Sequence, residues 1–317
     1  MSFDRLQRKI DALQNPTVVG LDPALEHVPQ QILDKHFSTK GETLAAAAAA
    51  VLEFNTGLID ALCDIVPAIK PQSAYYEALG PEGVAVLWHT CDYAKSKGMY
   101  VICDGKRNDI GSTAAAYSAA YLGTVKVGST ELEPFGFDAL TVNAYLGSDG
   151  IMPFIETAKK HDKAVFALVK TSNPSSGELQ DRFIGHEIGC DDANKYFVAH
   201  DRLYTVVGDL MEEISRDTIG EYGFTRVGAV VGATYPEEAA FLRARLKHTF
   251  FLVPGYGAQG GLASDVARSF DENGRGAVVN SSRAVIAAWK KTGGDYAMAA
   301  RTEALRMRDE LRLVVYE

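Results

Sequence analysis

The chain contains few cysteines, no excess of positive charge and no long apolar run. Its 317 residues include four scattered cysteines without a Cys-x-x-Cys pair, so we expect neither a disulfide framework nor a structural zinc site. The net charge of −9 gives no support for a nucleic-acid or anionic-membrane partner. No apolar stretch reaches the ~18 residues of a membrane span, and the N-terminus lacks the apolar core of a signal peptide. We therefore expect a cytoplasmic protein.

Several motifs of other enzyme classes are also absent. The chain has no G-x-S-x-G elbow, and the Gly-Lys pair at 105–106 is not followed by the Ser or Thr of a Walker loop. The seven histidines fall in predicted helices or loops rather than at strand ends, which argues against a His/carboxylate metal cluster. A G-x-G-x-x-G spacing starts at Gly255, but it follows the seventh predicted strand, and Asn280 stands where a dinucleotide site needs an acid. We therefore expect no metal and no cofactor.

Eight short apolar runs alternate with helical segments along the chain. The predicted strands are Thr17–Leu21, Ile65–Ile69, Tyr100–Cys103, Ala139–Val142, Ala164–Val169, Val227–Val231, Phe250–Val253 and Ala277–Val279. The clearest predicted helices are Glu42–Leu62, Pro81–Lys97, Pro236–Leu246 and a closing Tyr296–Val314. Eight such alternations favour a (β/α)8 TIM barrel over an open doubly wound sheet. Since no Gly/Ser/Pro-rich linker divides the chain, we predict a single domain over residues 1–317.

One connection, at about residues 171–191, is longer than an ordinary loop of a barrel. It contains proline, several Gly and Ser residues, and little periodicity. Long loops at the C-terminal ends of barrel strands usually carry function, so we predict a lid over the site. The alternative is a disordered insertion.

Charged and polar side chains follow most of the predicted strands. In barrels of this kind the active site lies at the C-terminal ends of the strands. In chain order these ends carry Asp22, Lys70, Asp104 with Lys106, Asn143, Lys170–Asn173, Gly255–Gly261 and Asn280–Arg283. Any one of these residues could be a helix cap or a surface side chain. Together they indicate a functional site at one rim.

The run from Asp104 to Asp109 is the most informative part of this rim. Strand side chains alternate between faces, so Asp104 and Lys106 are expected to point the same way, with Asp109 in the turn that follows. Buried charge is costly unless it is paired, so a lysine between two carboxylates suggests a catalytic array. The alternative is an ordinary ion pair at a strand end.

The loops after the last two strands suggest a phosphate site. The glycines from Gly255 onward let backbone N–H groups approach an anion, Gln259 can donate hydrogen bonds, and Arg283 supplies a bidentate cation. The alternative for Arg283 is a surface arginine at a helix start.

The run Asp104-x-Lys106-x-x-Asp109-Ile110-Gly111-x-Thr113 resembles the signature of the orotidine 5′-phosphate decarboxylase family. The strings 70–73, 141–143 and 170–174 resemble the longer bacterial branch of that family, and the resemblance covers nearly the whole chain. It implies decarboxylation of orotidine 5′-phosphate to uridine 5′-phosphate, the last step of de novo pyrimidine biosynthesis, without a cofactor. The implied site residues are catalytic Lys106, Asp104, Asp109 and Lys70, and substrate-binding Asp22, Thr113, Ser172, Gln259 and Arg283.

The resemblance also implies an assembly. In the family, the acid matched by Asp109 and the threonine matched by Thr113 come from the neighbouring subunit, so a homodimer with shared active sites is expected. Shorter members of the family differ after the fourth strand, so no role is assigned to Asn143.

Three other interpretations remain open at the level of sequence. A metal-dependent sugar-phosphate decarboxylase or aldolase could use the same barrel and a similar Asp-x-Lys-x-x-Asp run, and a chelator would reveal it. A Schiff-base aldolase could use Lys70, Lys106 or Lys170, and borohydride trapping would reveal it. A non-catalytic nucleotide-binding barrel would bind without turnover.

Overall fold

Eight parallel strands close into a barrel. The computed structural model describes residues 1–190, 196–257 and 260–316, without the side chains of 186–200. The strands of this part are β1 Thr17–Leu21, β2 Ala68–Pro71, β3 Tyr100–Arg107, β4 Val125–Val127, β5 Thr130–Leu132, β6 Ala139–Val142, β7 Ala164–Lys170, β8 Phe183–Cys190, β9 Tyr196–Arg202, β10 Val227–Val231, β11 Phe251–Val253 and β12 Ala277–Ser281. The barrel order is β1-β2-β3-β6-β7-β10-β11-β12, and β12 pairs back to β1. The predicted TIM barrel is confirmed.

Helices cover the outside of the barrel and close one of its ends. They are α1 Ser2–Leu13, α2 Gln30–Lys40, α3 Leu44–Leu62, α4 Ser73–Glu77, α5 Gly80–Ser96, α6 Gly111–Leu122, α7 Met152–His161, α8 Leu203–Ser215, α9 Pro236–Arg245, α10 Ala263–Ala267, α11 Arg283–Ile286, α12 Trp289–Thr292 and α13 Tyr296–Val315. The four helices predicted from sequence agree within two residues at each end. Side-chain caps fix two of the starts, because Thr43 accepts from the Ala46 N–H and Asp295 from the Met298 N–H.

Strand β2 begins three residues later than predicted. Ile65 and Val66 are buried, as their apolar character suggests, but both backbone N–H groups bond to the Leu62 carbonyl and close the end of α3. The strand starts at Ala68, after Pro67, which has no N–H to give a ladder. As a result Lys70 lies within β2 rather than behind it.

The N-terminal end of the barrel is closed by α1, a helix that the sequence analysis did not predict. Phe3 lies 4.9 Å from Phe166 and 5.0 Å from Phe250, measured between ring centroids. Leu6 and Ile10 are fully buried in the same cluster. This end is therefore an apolar plug.

Two antiparallel hairpins leave the barrel, β4–β5 after α6 and β8–β9 after β7. The second hairpin corrects the prediction of one irregular loop at 171–191, because β8 begins at Phe183. It also corrects the expectation that every histidine lies in a helix or loop, since His186 and His200 belong to its strands. The part of the connection before this hairpin is residues 171–182, which includes a 3-10 helix over Pro174–Glu178.

Helix α3 is long and apolar enough, by length and composition alone, to cross a membrane. Its sequence is interrupted by Glu53 and Asp60, and half of the apolar window is buried inside the protein. Ala50, Phe54 and Leu58 are fully buried in the main core cluster, so α3 is accounted for as a packed outer helix of the barrel.

Candidate active site

Asp104 is the centre of a hydrogen-bonded array at the C-terminal end of the barrel. Its Oδ2 lies 2.6 Å from Lys70 Nζ and accepts from Gln72 Nε2 at 3.0 Å. Its Oδ1 lies 2.5 Å from Lys106 Nζ and accepts from Thr141 Oγ1 at 3.0 Å. Both carboxylate oxygens are thus shared between a lysine and a neutral donor. The predicted pairing of Asp104 with Lys106 is confirmed.

The two lysines of the array differ in exposure. The side chain of Lys70 is 5% exposed and that of Asp104 11%, whereas that of Lys106 is 45% exposed. Lys70 is therefore a buried counter-charge, and Lys106 is the ammonium that a bound molecule can approach.

The charges of the array stabilise one another. Burial alone would raise the pKa of Asp104, but the charges of Lys70 and Lys106 and their hydrogen bonds outweigh it, and that pKa lies well below its usual range. Burial alone would lower the pKa of Lys70, but the charges of Asp104 and Asp22 outweigh it, and that pKa is raised. At neutral pH this pair is therefore an ammonium and a carboxylate.

A break in the strand ladder aims this array into the barrel. Cys103 pairs with Leu140, but the next pair is Arg107 with Val142, so three residues of β3 stand opposite Thr141 of β6. Lys106 has a left-handed φ of 46°, rare for a residue with a side chain. Asp104 and Lys106 line the same cavity, as the alternation of strand side chains predicts, but a bulge rather than a regular strand places them there.

The array lines a cavity of about 340 Å³, within the range of small-molecule sites. Its walls are Lys70, Asp104, Lys106, Thr141, Leu168, Thr171, Ser172, Asn173, Gln180, Val230, Leu252 and Pro254. One side is charged and the barrel side is apolar, which suits a ligand with a planar ring and polar substituents.

The segment with Ser172 is held as a wall of this cavity. Gln180 accepts from the Thr171 N–H and donates to the Thr171 hydroxyl, at 2.9 and 2.7 Å. The fully buried Lys170 pairs with Asp181 at 2.7 Å and lies 4.3 Å from the centre of the Tyr235 ring. These bonds hold residues 170–181 against the cavity. The closing motion of a lid stays a prediction.

Asp22 lies near this array. Its Oδ1 is buried and has no hydrogen-bond partner among the described residues, and its charge contributes to the raised pKa of Lys70. A buried carboxylate oxygen without a donor is costly, so a ligand hydroxyl is a natural partner for it.

The predicted phosphate ligands follow the last two strands of the barrel. Gln259 lies outside the described residues. Gly255, Gly257 and Gly260 all have positive φ values, of 99°, 71° and 94°, which explains why glycine stands at these three places. Arg283 begins α11 and is exposed, and its guanidinium has no ion pair or hydrogen bond within residues 1–190, 196–257 and 260–316.

Asp109 and Thr113 do not join Lys106 within one chain. Asp109 accepts from the Ile110 N–H at 2.7 Å, and Thr113 is exposed in the first turn of α6. Within the described part of the chain, the ion pair of Lys106 is with Asp104. Asn143, to which no role was given, is exposed, and its Oδ1 accepts from the Tyr145 N–H.

Three residues of the site were not singled out from sequence: Gln72, Thr141 and Gln180. Gln72 and Thr141 lie in strings that resemble the family, and both contact Asp104. Their positions beside strand ends were the available signal, but neutral side chains of this kind are common at such places. Gln180 lies eight residues after Ser172, and only the folded loop brings it to the cavity.

The described residues offer little support for metal or thiol chemistry. Within the described residues, no group of three or more His, Cys, Asp or Glu side chains could hold a metal ion. Cys91 and Cys103 are buried, and burial raises the pKa of Cys91 well above its usual value.

A closed parallel barrel with a lysine–carboxylate array in a cavity at its C-terminal end is the architecture of a TIM-barrel enzyme. Residues 49–293 match the model of the orotidine 5′-phosphate decarboxylase / HUMPS family. The chain belongs to this family.

Individual relatives extend the similarity to nearly the full length. The orotidine 5′-phosphate decarboxylase of Rhodopirellula baltica is 42% identical over 303 residues, which covers 93% of this chain and 94% of that protein. The corresponding protein of Caldicellulosiruptor bescii is 40% identical, with 90% of each chain covered. The structure of Leishmania donovani OMP decarboxylase superposes with a TM-score of 0.70 at 28% identity, covering all of this chain and 99% of that one.

Proposed function

We propose that this chain decarboxylates orotidine 5′-phosphate to uridine 5′-phosphate without a cofactor. The observation that carries the proposal is the Lys70–Asp104–Lys106 array at the wall of the cavity. Family membership, with relatives of that name over nearly the full length, supports the same reaction.

The chemistry needs a positive charge beside carbon 6 of the pyrimidine. Breaking the bond from C6 to the carboxylate releases carbon dioxide and leaves an electron pair on C6. The exposed ammonium of Lys106 stabilises that charge and then gives a proton to C6, which completes uridine 5′-phosphate. Without an enzyme this reaction is very slow in water. The enzyme must therefore lower the activation barrier by an amount near the top of the ~8–23 kcal/mol that enzymes typically achieve.

Asp104 and Lys70 keep this charge in place. Asp104 holds Lys106 by a 2.5 Å contact, and Lys70 balances the second carboxylate oxygen from the buried side. Asp104 also lies where the substrate carboxylate would approach, so like-charge repulsion would favour its departure.

The rest of the nucleotide is assigned to the rim. We assign the ribose hydroxyls to the unpartnered Oδ1 of Asp22, the pyrimidine edge to Ser172, and the phosphate to Gln259 and Arg283. These contacts bind parts of the substrate that do not react, and their binding energy can be used to reach the transition state. We further propose a cytoplasmic location.

The direct test is the absorbance change of the pyrimidine on adding orotidine 5′-phosphate, with and without EDTA. We expect EDTA-insensitive conversion to uridine 5′-phosphate that is lost in Lys106→Ala and kept in Lys159→Ala, which removes an outer-surface lysine paired with Asp217. Loss of activity in EDTA would indicate a metal-dependent relative. Binding of uridine 5′-phosphate without any conversion would indicate a nucleotide-binding barrel.

We also propose that two chains form a dimer in which Asp109 and Thr113 complete the partner's site. In one chain neither residue contacts Lys106, although Asp109 is only three residues away. Exposed large apolar side chains are concentrated between residues 110 and 146, where Ile110 is 57% and Val127 60% exposed. Apolar surface of this kind next to functional residues is typical of a protein interface.

Mixing two inactive variants tests the shared site. Asp109→Ala and Lys106→Ala are each expected to be inactive, but a heterodimer of the two has one site with Lys106 from one chain and Asp109 from the other. After subunit exchange the mixture should regain about a quarter of the wild-type activity. The double variant Lys106→Ala/Asp109→Ala mixed with Asp109→Ala is the control. A first mixture as inactive as this control would contradict the shared site.

A further inference from the structure

Thr141 joins the two functional groups of β3 through a single hydroxyl. Its Oγ1 accepts the backbone N–H of Lys106 at 2.9 Å and donates to Asp104 Oδ1 at 3.0 Å. The residue is 1% exposed and lies near the end of β6. One buried side chain therefore contacts both the residue that carries the reactive ammonium and the carboxylate that holds it.

The hydroxyl replaces a missing ladder bond. Because three residues of β3 stand opposite Thr141, the regular pairing between β3 and β6 is interrupted from Asp104 to Lys106. The Lys106 N–H is bonded to the Thr141 side chain instead. A left-handed backbone at a residue with a side chain persists only where its surroundings fix it, and this bond is such a constraint.

The same hydroxyl also fixes the rotation of the carboxylate. Asp104 Oδ2 is held by Lys70 and Gln72, whereas Oδ1 is held by Lys106 and Thr141. Lys106 is half exposed, so Thr141 is the rigid partner of that oxygen. Without the Thr141 hydroxyl, the Asp104 carboxylate and the Lys106 ammonium that it holds would be free to shift together relative to the cavity.

A second buried threonine provides a matched control for the hydroxyl of Thr141. Thr17 begins β1 and is fully buried, but its Oγ1 has no hydrogen-bond partner among the described residues. A barrel strand can therefore bury a threonine without using its hydroxyl.

We propose that Thr141 is a positioning residue that sets the place of the Lys106 ammonium relative to the reacting carbon. The inference rests on the proposed decarboxylation. It predicts that the hydroxyl matters for turnover more than for substrate binding, because Thr141 acts through Asp104 and Lys106. Substrate binding through the rim residues should remain.

The test compares Thr141→Val, which keeps the shape, with Thr141→Ser, which keeps the hydroxyl. Thr141→Val should lower kcat by about 10–100-fold while KM changes by less than about threefold, since misplacement of reacting groups costs about this much. Thr141→Ser should recover most of the lost kcat. Thr17→Val, matched in burial and chemistry, should keep the wild-type kcat and KM.

Each variant is assayed below its own melting temperature, so that loss of folded protein does not count as loss of turnover. A wild-type kcat in Thr141→Val, or a loss that Thr141→Ser does not restore, overturns the inference. If Thr141→Val does not fold, Thr141→Ala is judged by the same criteria. A wild-type protein without decarboxylase activity overturns the proposed function instead, so the two failures are distinguishable.

Discussion

The two ends of the barrel are built on opposite principles. At the N-terminal end, Phe3 of α1 packs against both Phe166 and Phe250, and the space is filled largely by apolar contact. At the C-terminal end, Lys70, Asp104 and Lys106 form a charged array beside an open cavity. The aromatic rings of the first end need complementary shape, whereas the charges of the second end each need a partner.

This difference separates stability from chemistry within one barrel. Burial of aromatic rings contributes directly to folding, while a buried ion pair roughly balances its own desolvation cost. The rim can therefore be specialised for reaction because the opposite end supplies the packing. We expect substitutions at the two ends to have different consequences.

The largest expected effect on stability is at the plug. Phe3→Ala should lower the free energy of unfolding by about 3–5 kcal/mol, because it opens a cavity in a fully packed cluster. The kcat and KM of the folded fraction should be unchanged. Denaturant unfolding and steady-state kinetics check both, and Phe241→Ala, which removes a half-exposed ring, is the control. A fall in kcat of folded Phe3→Ala would contradict the view that the N-terminal end contributes stability and not chemistry.

An intermediate effect is expected at Arg283, and it concerns binding alone. If Arg283 contacts the phosphate, Arg283→Gln should raise KM for orotidine 5′-phosphate by about 10–100-fold. This factor corresponds to the binding free energy of one or two charge-assisted hydrogen bonds. The free nucleoside orotidine lacks the phosphate, so kcat/KM for it should be insensitive to the substitution. Arg8→Gln, at the opposite end and paired with Glu221, is the matched control. Equal losses for nucleotide and nucleoside would argue against a phosphate contact.

The smallest expected effect is on the stability of Lys106→Ala. Its side chain is 45% exposed, and Asp104 keeps Lys70, Gln72 and Thr141 when it is removed. The free energy of unfolding should change by about 1 kcal/mol, because the lost partner is half exposed and the carboxylate stays paired. Thermal melting beside wild type measures it. A loss as large as that of Phe3→Ala would show that the rim contributes to stability as much as the plug does.

The sequence predicted the barrel well because its signal is repeated eight times. Apolar runs of strand length and strong helix formers recur in order, and an error at β2 moves one boundary without changing the topology. Helix α1 was missed because a single amphipathic helix before the first strand is not part of the repeat. The β8–β9 hairpin was missed because Phe183–Cys190 shows little periodicity, and the apolar start of Tyr196–Arg202 was not counted among the eight runs.

The candidate site was predicted where charge marks it and missed where geometry creates it. Lys70, Asp104 and Lys106 are charged residues at strand ends, and burial of charge there is informative on its own. Thr141 acquires its contacts only through the bulge that leaves three residues of β3 opposite one residue of β6. A break in pairing depends on two strands at once, so it could not be predicted from either strand alone.

The plug also limits how early the protein can fold during its synthesis. Phe3 is made before every strand of the barrel, but one of its ring partners, Phe250, lies 247 positions later in the chain. At ~5–20 residues per second, α1 must wait roughly 10–50 s on the ribosome before that partner exists. The barrel closes only when β12 reaches β1. Helix α1 is made before every strand of the barrel and is nevertheless among the last elements to reach its final contacts.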